Sequence, residues 1–447
     1  MSIMSRGAER LTGLRLSVAF ARSRSAVVAG LHAAALIVLW WTEFEPEHIA
    51  LFVLAWGVFN CAWLVVLGRP SPSAAASLLM VGAVIVLSKF KAGVTWASLS
   101  FFDFLIVDPD TVHFLTAAFP RLRIVLPLAT IVAVILLVGL WRLDPFRVRR
   151  LTSALIGAGC LVGLCSLSLA VPEQPWEPFQ ANNYVSNFVR SGVTTVVELA
   201  THGWLEADAP GADASVGMAA ETCRPVGKPP HIIMVLDESS FDVRAAPGIK
   251  LPADYGGHFR SFDGRQRALT VEATGGPTWY AEYSVLTGLS PRSFGRLSLY
   301  VTRIAAGHVL RGLPQALQNC GYRTFSLYPE SGAFMGARGF QATTGIEHFI
   351  DASDMHAGHV EPDSFYFDRI RETIARENAG GPLFIMGYVT ANHFPWTPRF
   401  RPGLTPDWKD LGNDPEVDEY IRRQMMSAHD YADFLARLKR EFPNERF

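Results

Sequence analysis

Cysteine is scarce in this chain, five in 447 residues, which excludes a scaffold built on disulfides. Neither sign of charge dominates: 40 Lys and Arg stand against 41 Asp and Glu. No basic stripe is present, so nucleic acid is not an indicated partner. Internal repeats and long low-complexity segments are absent. What the chain has instead is apolar length. It is 49% hydrophobic with a mean hydropathy of +0.20, and the excess lies in the first 171 residues.

Five apolar runs fill that region, roughly Ala26–Trp41, His48–Leu67, Ala74–Ser88, Ile124–Trp141 and Leu151–Val171, near the ~20 residues a helix needs to cross a bilayer. The third is the shortest. Residues 1–25 carry Arg6, Arg10, Arg15, Arg22 and Arg24 against Glu9. A signal peptide also fits a basic start followed by an apolar run, but four further runs make a multi-span anchor the simpler reading. Arg69, Arg142, Arg147, Arg149 and Arg150 join the N-terminal arginines on one side. Only Lys89, Lys91, Arg121 and Arg123 fall on the other, whose first loop holds Glu43, Glu45 and Glu47. That bias predicts a cytoplasmic N-terminus and places everything after Val171 outside the cytoplasm. The outer loop Trp96–Pro120 reads either as an amphipathic segment on the membrane surface or as an ordinary structured loop.

Residues 172–229 carry Pro172, Pro175, Pro178 and a small-residue stretch, and read as a linker with short helices, one of them over Val193–Trp204. From residue 230 short apolar runs alternate with helical patterns. HIIMVLD, YRTFSLY and PLFIMGYVT are predicted strands. Ala281–Thr287, Val309–Asn319, Phe365–Glu377 and the long Val417–Phe442 are predicted helices. This alternation predicts a mainly parallel sheet covered on both faces, with ligands beyond the carboxyl ends of the strands. Cys61, Cys160 and Cys165 lie in apolar spans. Cys223 and Cys320 each precede a predicted strand, and a disulfide between them or two free thiols both remain open.

Three polar positions stand at such strand ends. Glu238, beside Asp237, follows an apolar strand and is placed either to bind a hard divalent cation or to cap a helix in Asp-Glu-Ser-Ser. Thr278 sits in GGPTWYAE, where glycines let backbone amides approach an anion and the following helix offers its positive end. An ordinary turn is the rival. Glu282 falls four residues later on the same helical face, where it can brace that turn. Asn392 and His393 in VTANHFPW form the third site, where His393 fits a phosphate or polar headgroup, or a capping or surface role.

Together VLDESSF, GGPTWYAEYSVLTG, GLPQALQNCGYRTFSLYP, GIEHFID and YVTANHFPW resemble, in order and spacing, the membrane-bound sulfatase-like transferases of the alkaline phosphatase superfamily. The nearest likeness is to the lipoteichoic acid synthase and phosphoglycerol transferase branch. The resemblance implies a bundle of about five transmembrane helices, then an external α/β domain with a mainly parallel sheet. It implies Glu238 and Thr278 as metal ligands, Thr278 also as a nucleophile forming a phospho-threonine, and His393 as a headgroup contact. Mn²⁺ is the implied cofactor, with Mg²⁺ or Zn²⁺ as alternatives. A phospholipid donor and a glycan or lipid acceptor are the implied partners, at a bacterial inner membrane.

The chain departs from that pattern in three places. The family completes its metal site with an Asp-His pair on a strand beyond the long helix that here holds Asp430. No Asp-His dipeptide occurs, and residues 230–447 read as a shortened catalytic domain. Of the headgroup-binding Trp and Arg, Met335 stands where Trp is expected and only Arg338 can serve as the base. No Cys/Ser-x-Pro-x-Arg sequence is present, which argues against a true sulfatase. A headgroup transferase is therefore expected. A phosphodiester or sulfate ester hydrolase, an inactive membrane-tethered binding protein and a shortened version of a longer enzyme are the rival readings.

Overall fold

The computed structural model describes residues 25–447 apart from 96, 175, 202–222, 224–226, 262, 273–276 and 359. The arginine-rich N-terminus, the small-residue stretch of the linker and the glycine pair before Thr278 lie outside the described residues. So does Thr274, an alternative nucleophile to Thr278. The chain divides into two compact units, Met1–Asp108 with Leu115–Gly203 and Pro109–Phe114 with Trp204–Phe447.

Among the described residues, the first unit contains five helices long and apolar enough to cross a membrane: α1 (Ser25–Thr42), α2 (Pro46–Leu67), α3 (Pro70–Thr95), α6 (Leu122–Leu143) and α7 (Arg150–Ala170). Between α3 and α6 run the short helices α4 (Phe102–Leu105) and α5 (Pro109–Ala118). The third span is longer than its apolar run. Pro70 and Pro72 are tolerated in its first turn, where backbone N–H groups have no helical acceptor. Its last turns carry Lys91, whose Nζ reaches Asp103 Oδ2 at 2.8 Å. Helices α2 and α7 approach closely because small residues face each other: a Cβ on Gly157 would fall 2.9 Å from Cys61 Cβ.

The expected linker begins with packed structure. Helix α8 (Tyr184–Thr201) inserts Val185 and Val189 among Leu51, Phe52 and Leu164. The acidic loop after α1 is correspondingly buried. Glu43 accepts from Val185 N (3.1 Å) and Ser186 Oγ (2.5 Å), and His48 Nδ1 lies 2.7 Å from the same hydroxyl.

The second unit is built on four parallel strands, β1 (Ile232–Asp237), β2 (Arg323–Leu327), β3 (His348–Ile350) and β4 (Leu383–Val389), in the order β1-β4-β2-β3. Strand β3 falls in GIEHFID; three residues are too few for a period to declare. Its helices are α9 (Thr278–Thr287), α10 (Val301–Ala305), α11 (Leu313–Gln318), α12 (Ala337–Thr344), α13 (Ala352–Met355), α14 (Asp363–Glu377) and α15 (Pro415–Glu441). Helix α11 is shorter than the predicted Val309–Asn319, because Gly312 is extended (φ −133°) and passes against Thr344. All seven residues of β4 are buried, as its uninterrupted apolar run requires of a strand covered on both faces. One face packs Leu383, Ile385 and Val389 against Tyr366, Ile370 and Ile374 of α14 and Phe434 and Leu438 of α15. Strand β1 lies at one edge, half-buried, and its preceding His231 N donates to Arg446 O (2.8 Å).

Cys223 and Cys320 form a disulfide with Cα atoms 4.7 Å apart. Their strands are not neighbours, since β4 separates β1 from β2. The bond forms because Cys223 lies nine residues ahead of Ile232 and reaches across. Closing 97 residues of chain is expected to stabilise the second unit by ~2–4 kcal/mol. Maleimide labelling of denatured protein should find three thiols before reduction and five after, and Cys320→Ser should lower the unit's melting temperature. Five reactive thiols without reduction would contradict the assignment.

Candidate active site

Helix α9 starts at Thr278 itself, three residues before the predicted start, because Pro277 is extended (φ −76°, ψ 92°) and cannot join the helix. The Thr278 hydroxyl therefore sits at the positive end of the helix. Its Oγ1 donates to Glu238 Oε1 at 2.6 Å.

Glu238 is positioned by the sheet. Its N–H donates to Val389 O (3.1 Å), extending the β1–β4 ladder by one residue. The chain then turns at Ser239, whose φ of +57° is left-handed for a residue with a Cβ. The Tyr420 hydroxyl of α15 fixes this turn, donating to Ser239 O and accepting from Phe241 N, each at 2.9 Å.

His393 leaves β4, the strand beside β1. Its Nδ1 stands 2.5 Å from Phe394 O, which requires that nitrogen to carry the proton, and its Nε2 is 3.8 Å from Glu238 Oε1. Arg423 of α15 holds the loop, donating to His393 O (2.8 Å) and Pro395 O (3.0 Å). Asn392 Nδ2 donates to Asp237 Oδ1 (3.2 Å) and Ser427 Oγ (3.1 Å). Asp237 thus belongs to a polar layer beneath the site. Asp363 in that layer accepts from Ala391 N (2.9 Å), and burial, reinforced by Asp237, raises its carboxyl to about 7.

Glu282 lies one turn below Thr278, 1% exposed. It accepts from Gln341 Nε2 of α12 (2.8 Å), and the same nitrogen reaches the Tyr388 hydroxyl of β4 at 2.9 Å. The turn is thereby tied to two further elements. Burial raises the Glu282 carboxyl from 4.5 to about 7.

Glu238, Thr278 and His393 come together; Arg338 does not join them. Its guanidinium binds Asp351 Oδ2 (2.7 Å) and Phe349 O (3.1 Å). It lines a cleft of about 520 Å³ with Phe325, Glu347, His348 and Arg376 along β3, the opposite sheet edge from Glu238. The nearer acid and the Phe349 ring, 4.7 Å below the guanidinium, account for its placement. The sequence placed Asn392 with His393 at a strand end, but it did not mark Asp363, Tyr420 or Arg423 as supports. Their partners are 28 to 181 positions away, and no local pattern marks them.

The carboxylate and hydroxyl fit two positions of a hard cation's oxygen shell. Among the described residues, no group of three or more His, Cys, Asp and Glu side chains gathers to complete one.

Residues 267–439 match the Sulfatase family model. The matched segment includes Thr278 and His393 and begins after Glu238, which joins them through β1. Among solved structures, the lipoteichoic acid synthase LtaP from Listeria monocytogenes is 16% identical over 51% of this chain, with a TM-score of 0.39. A protein in the alkaline phosphatase superfamily from Vibrio parahaemolyticus is 18% identical over 47% of this chain, with a TM-score of 0.30. The chain spans 58% of the first structure and 52% of the second. Comparison with curated proteins gives no match.

The raised Glu282 carboxyl sets a pH dependence. Below pH 4.5 it is neutral in folded and unfolded chains alike. Between 4.5 and about 7 only the unfolded chain ionises, so stability falls as pH rises and levels off above that. The change is of order 3 kcal/mol. Glu282→Gln should remove this slope in melting curves taken from pH 4.5 to 8. An unchanged slope would place its origin elsewhere.

Proposed function

We propose that the sulfatase-like unit transfers a phosphoglycerol or phosphoethanolamine-type headgroup from a phospholipid to a hydroxyl of an extracytoplasmic glycan or lipid. The observation that carries this reading is the 2.6 Å contact between Thr278 Oγ1 and Glu238 Oε1 at the start of α9. A threonine hydroxyl is a weak nucleophile until a base takes its proton, and the carboxylate is already the acceptor of that proton.

In the first step Thr278 Oγ bonds to phosphorus while its proton passes to Glu238. The bond from phosphorus to the lipid glycerol oxygen breaks, and that oxygen takes the proton from Glu238, which releases diacylglycerol and returns Glu238 to its carboxylate. In the second step the acceptor hydroxyl attacks the phospho-threonine, its proton passes to Glu238, and Thr278 leaves reprotonated. The positive end of α9 opposes the negative charge gathered on the phosphoryl oxygens. His393, with its side chain 42% exposed and its Nε2 toward Glu238, is placed to contact the headgroup. A divalent cation bound by Glu238 and Thr278, Mn²⁺ by preference, would neutralise phosphoryl charge there.

The five apolar helices give this chemistry a reason to be tethered, since a lipid donor is confined to the bilayer. With the N-terminus cytoplasmic, as the arginine bias indicates, the second unit faces outward at the inner membrane. The disulfide supports that placement, because such bonds persist outside the reducing cytosol.

Thr278→Ala should lower headgroup release from a fluorescent phospholipid by ~10³-fold or more without changing the melting temperature of the second unit. Residual turnover near the parent rate would move the nucleophile elsewhere. An alkaline phosphatase reporter fused after Val171 should be active; an inactive reporter there would invert the topology.

A further inference from the structure

Two aromatic rings flank the proposed reaction centre with no structural need to be outside. Phe241 follows Glu238 by three residues and is 52% exposed; Phe394 follows His393 and is 36% exposed. Each rests on a fixed support. Phe241 stacks on Tyr420 (centroids 5.4 Å, planes at 26°), which covers one face of a ring that is half exposed. Trp396 packs edge-on to Tyr420 at 5.1 Å, and Phe394 stands at 89° to Trp396 at 5.4 Å. The array is pinned through its backbone. Tyr420 holds Phe241 N, Arg423 holds the carbonyls of His393 and Pro395, and Trp396 Nε1 donates to Asn392 O (2.9 Å).

We propose that this array is a binding subsite for the pyranose ring of a glycan acceptor, stacked on Phe241 and bordered by Phe394. A rigid ring set out in solvent beside a reaction centre loses little entropy when a flat ligand covers it. The surroundings select the ligand class. An acyl chain needs a continuous apolar groove, whereas the half-exposed His393 imidazole, adjacent to Phe394 in the chain, interrupts these rings with a polar group. A sugar presents axial C–H bonds to an aromatic face and hydroxyls to such a neighbour, the mixture of apolar wall and few oriented polar groups that small-ligand sites use. The subsite rests on the transfer reading only for the word acceptor; sugar binding itself does not need Thr278.

The test is saturation-transfer NMR on the full chain in a detergent without a sugar headgroup. The probes are methyl glucopyranoside, gentiobiose and a short-chain phosphatidylglycerol. The parent protein should saturate pyranose C–H protons. Phe241→Ala should weaken gentiobiose about tenfold, equivalent to ~1.4 kcal/mol, and Phe394→Ala should weaken it less. Phe241→Tyr, which keeps the ring, should restore binding and shows that loss in the alanine variant is not misfolding. Thr278→Ala should bind sugar normally. No saturation of either sugar by the parent protein, or equal saturation in Phe241→Ala, would overturn the subsite. So would saturation of the acyl protons of the phosphatidylglycerol that disappears with Phe241. Sugar binding without turnover would leave the subsite standing and defeat the transfer reading; turnover without sugar contact would do the reverse.

Discussion

Everything at the candidate site depends on the pairing of β1 with β4. Ile232 to Asp237 run in register with Phe384 to Val389, and the ladder continues one residue further through Glu238 N. Two segments about 150 positions apart therefore end side by side, one delivering Glu238 and the other His393. Helix α9 then needs only to start at the right place. Pro277 ensures this by ending the extended chain immediately before Thr278. A one-residue slip of the ladder would turn Glu238 to the other face of the sheet and dissolve the constellation.

Helix α15 is the second determinant, and it acts through backbone atoms. Tyr420 secures the left-handed turn after Glu238, Arg423 the loop after His393, and Ser427 the amide of Asn392. These three residues fall at spacings of three and four on one helix face, so a single docking event orders both strand ends. Glu419 keeps the arginines in place, accepting from Arg422 Nε and Arg423 Nε at 2.8 Å. Charged groups this deeply buried are tolerated because each meets an opposite charge or a carbonyl.

Much of this was legible in the sequence, for physical reasons. The apolar runs declared the spans, and the continuous apolar segments HIIMVLD and PLFIMGYVT declared β1 and β4, of which β4 is buried throughout. Glu238, Thr278 and His393 could be singled out because each stands where an apolar strand or a glycine-rich turn ends. Illegible were the features that depend on distant partners. The order of the strands is one, and it separates β1 from β2 although Cys223 and Cys320 still meet. Arg338 is another: it was the only base in SGAFMGARGF that could serve the headgroup, yet Asp351, thirteen residues on, holds its charge. The packing of α8 onto the first unit was hidden for the same reason, since Glu43 reads as a solvated loop residue until Val185 and Ser186 are brought against it.

The most direct measurement is to locate the covalent phosphate. The full chain, incubated with a headgroup-labelled phospholipid and quenched in acid, should yield one labelled peptide, with the label on Thr278 by fragmentation mass spectrometry. Glu238→Gln should leave that peptide unlabelled. Label on another residue, or equal labelling in the Glu238 variant, would contradict the pairing of this carboxylate with this hydroxyl as the reacting centre.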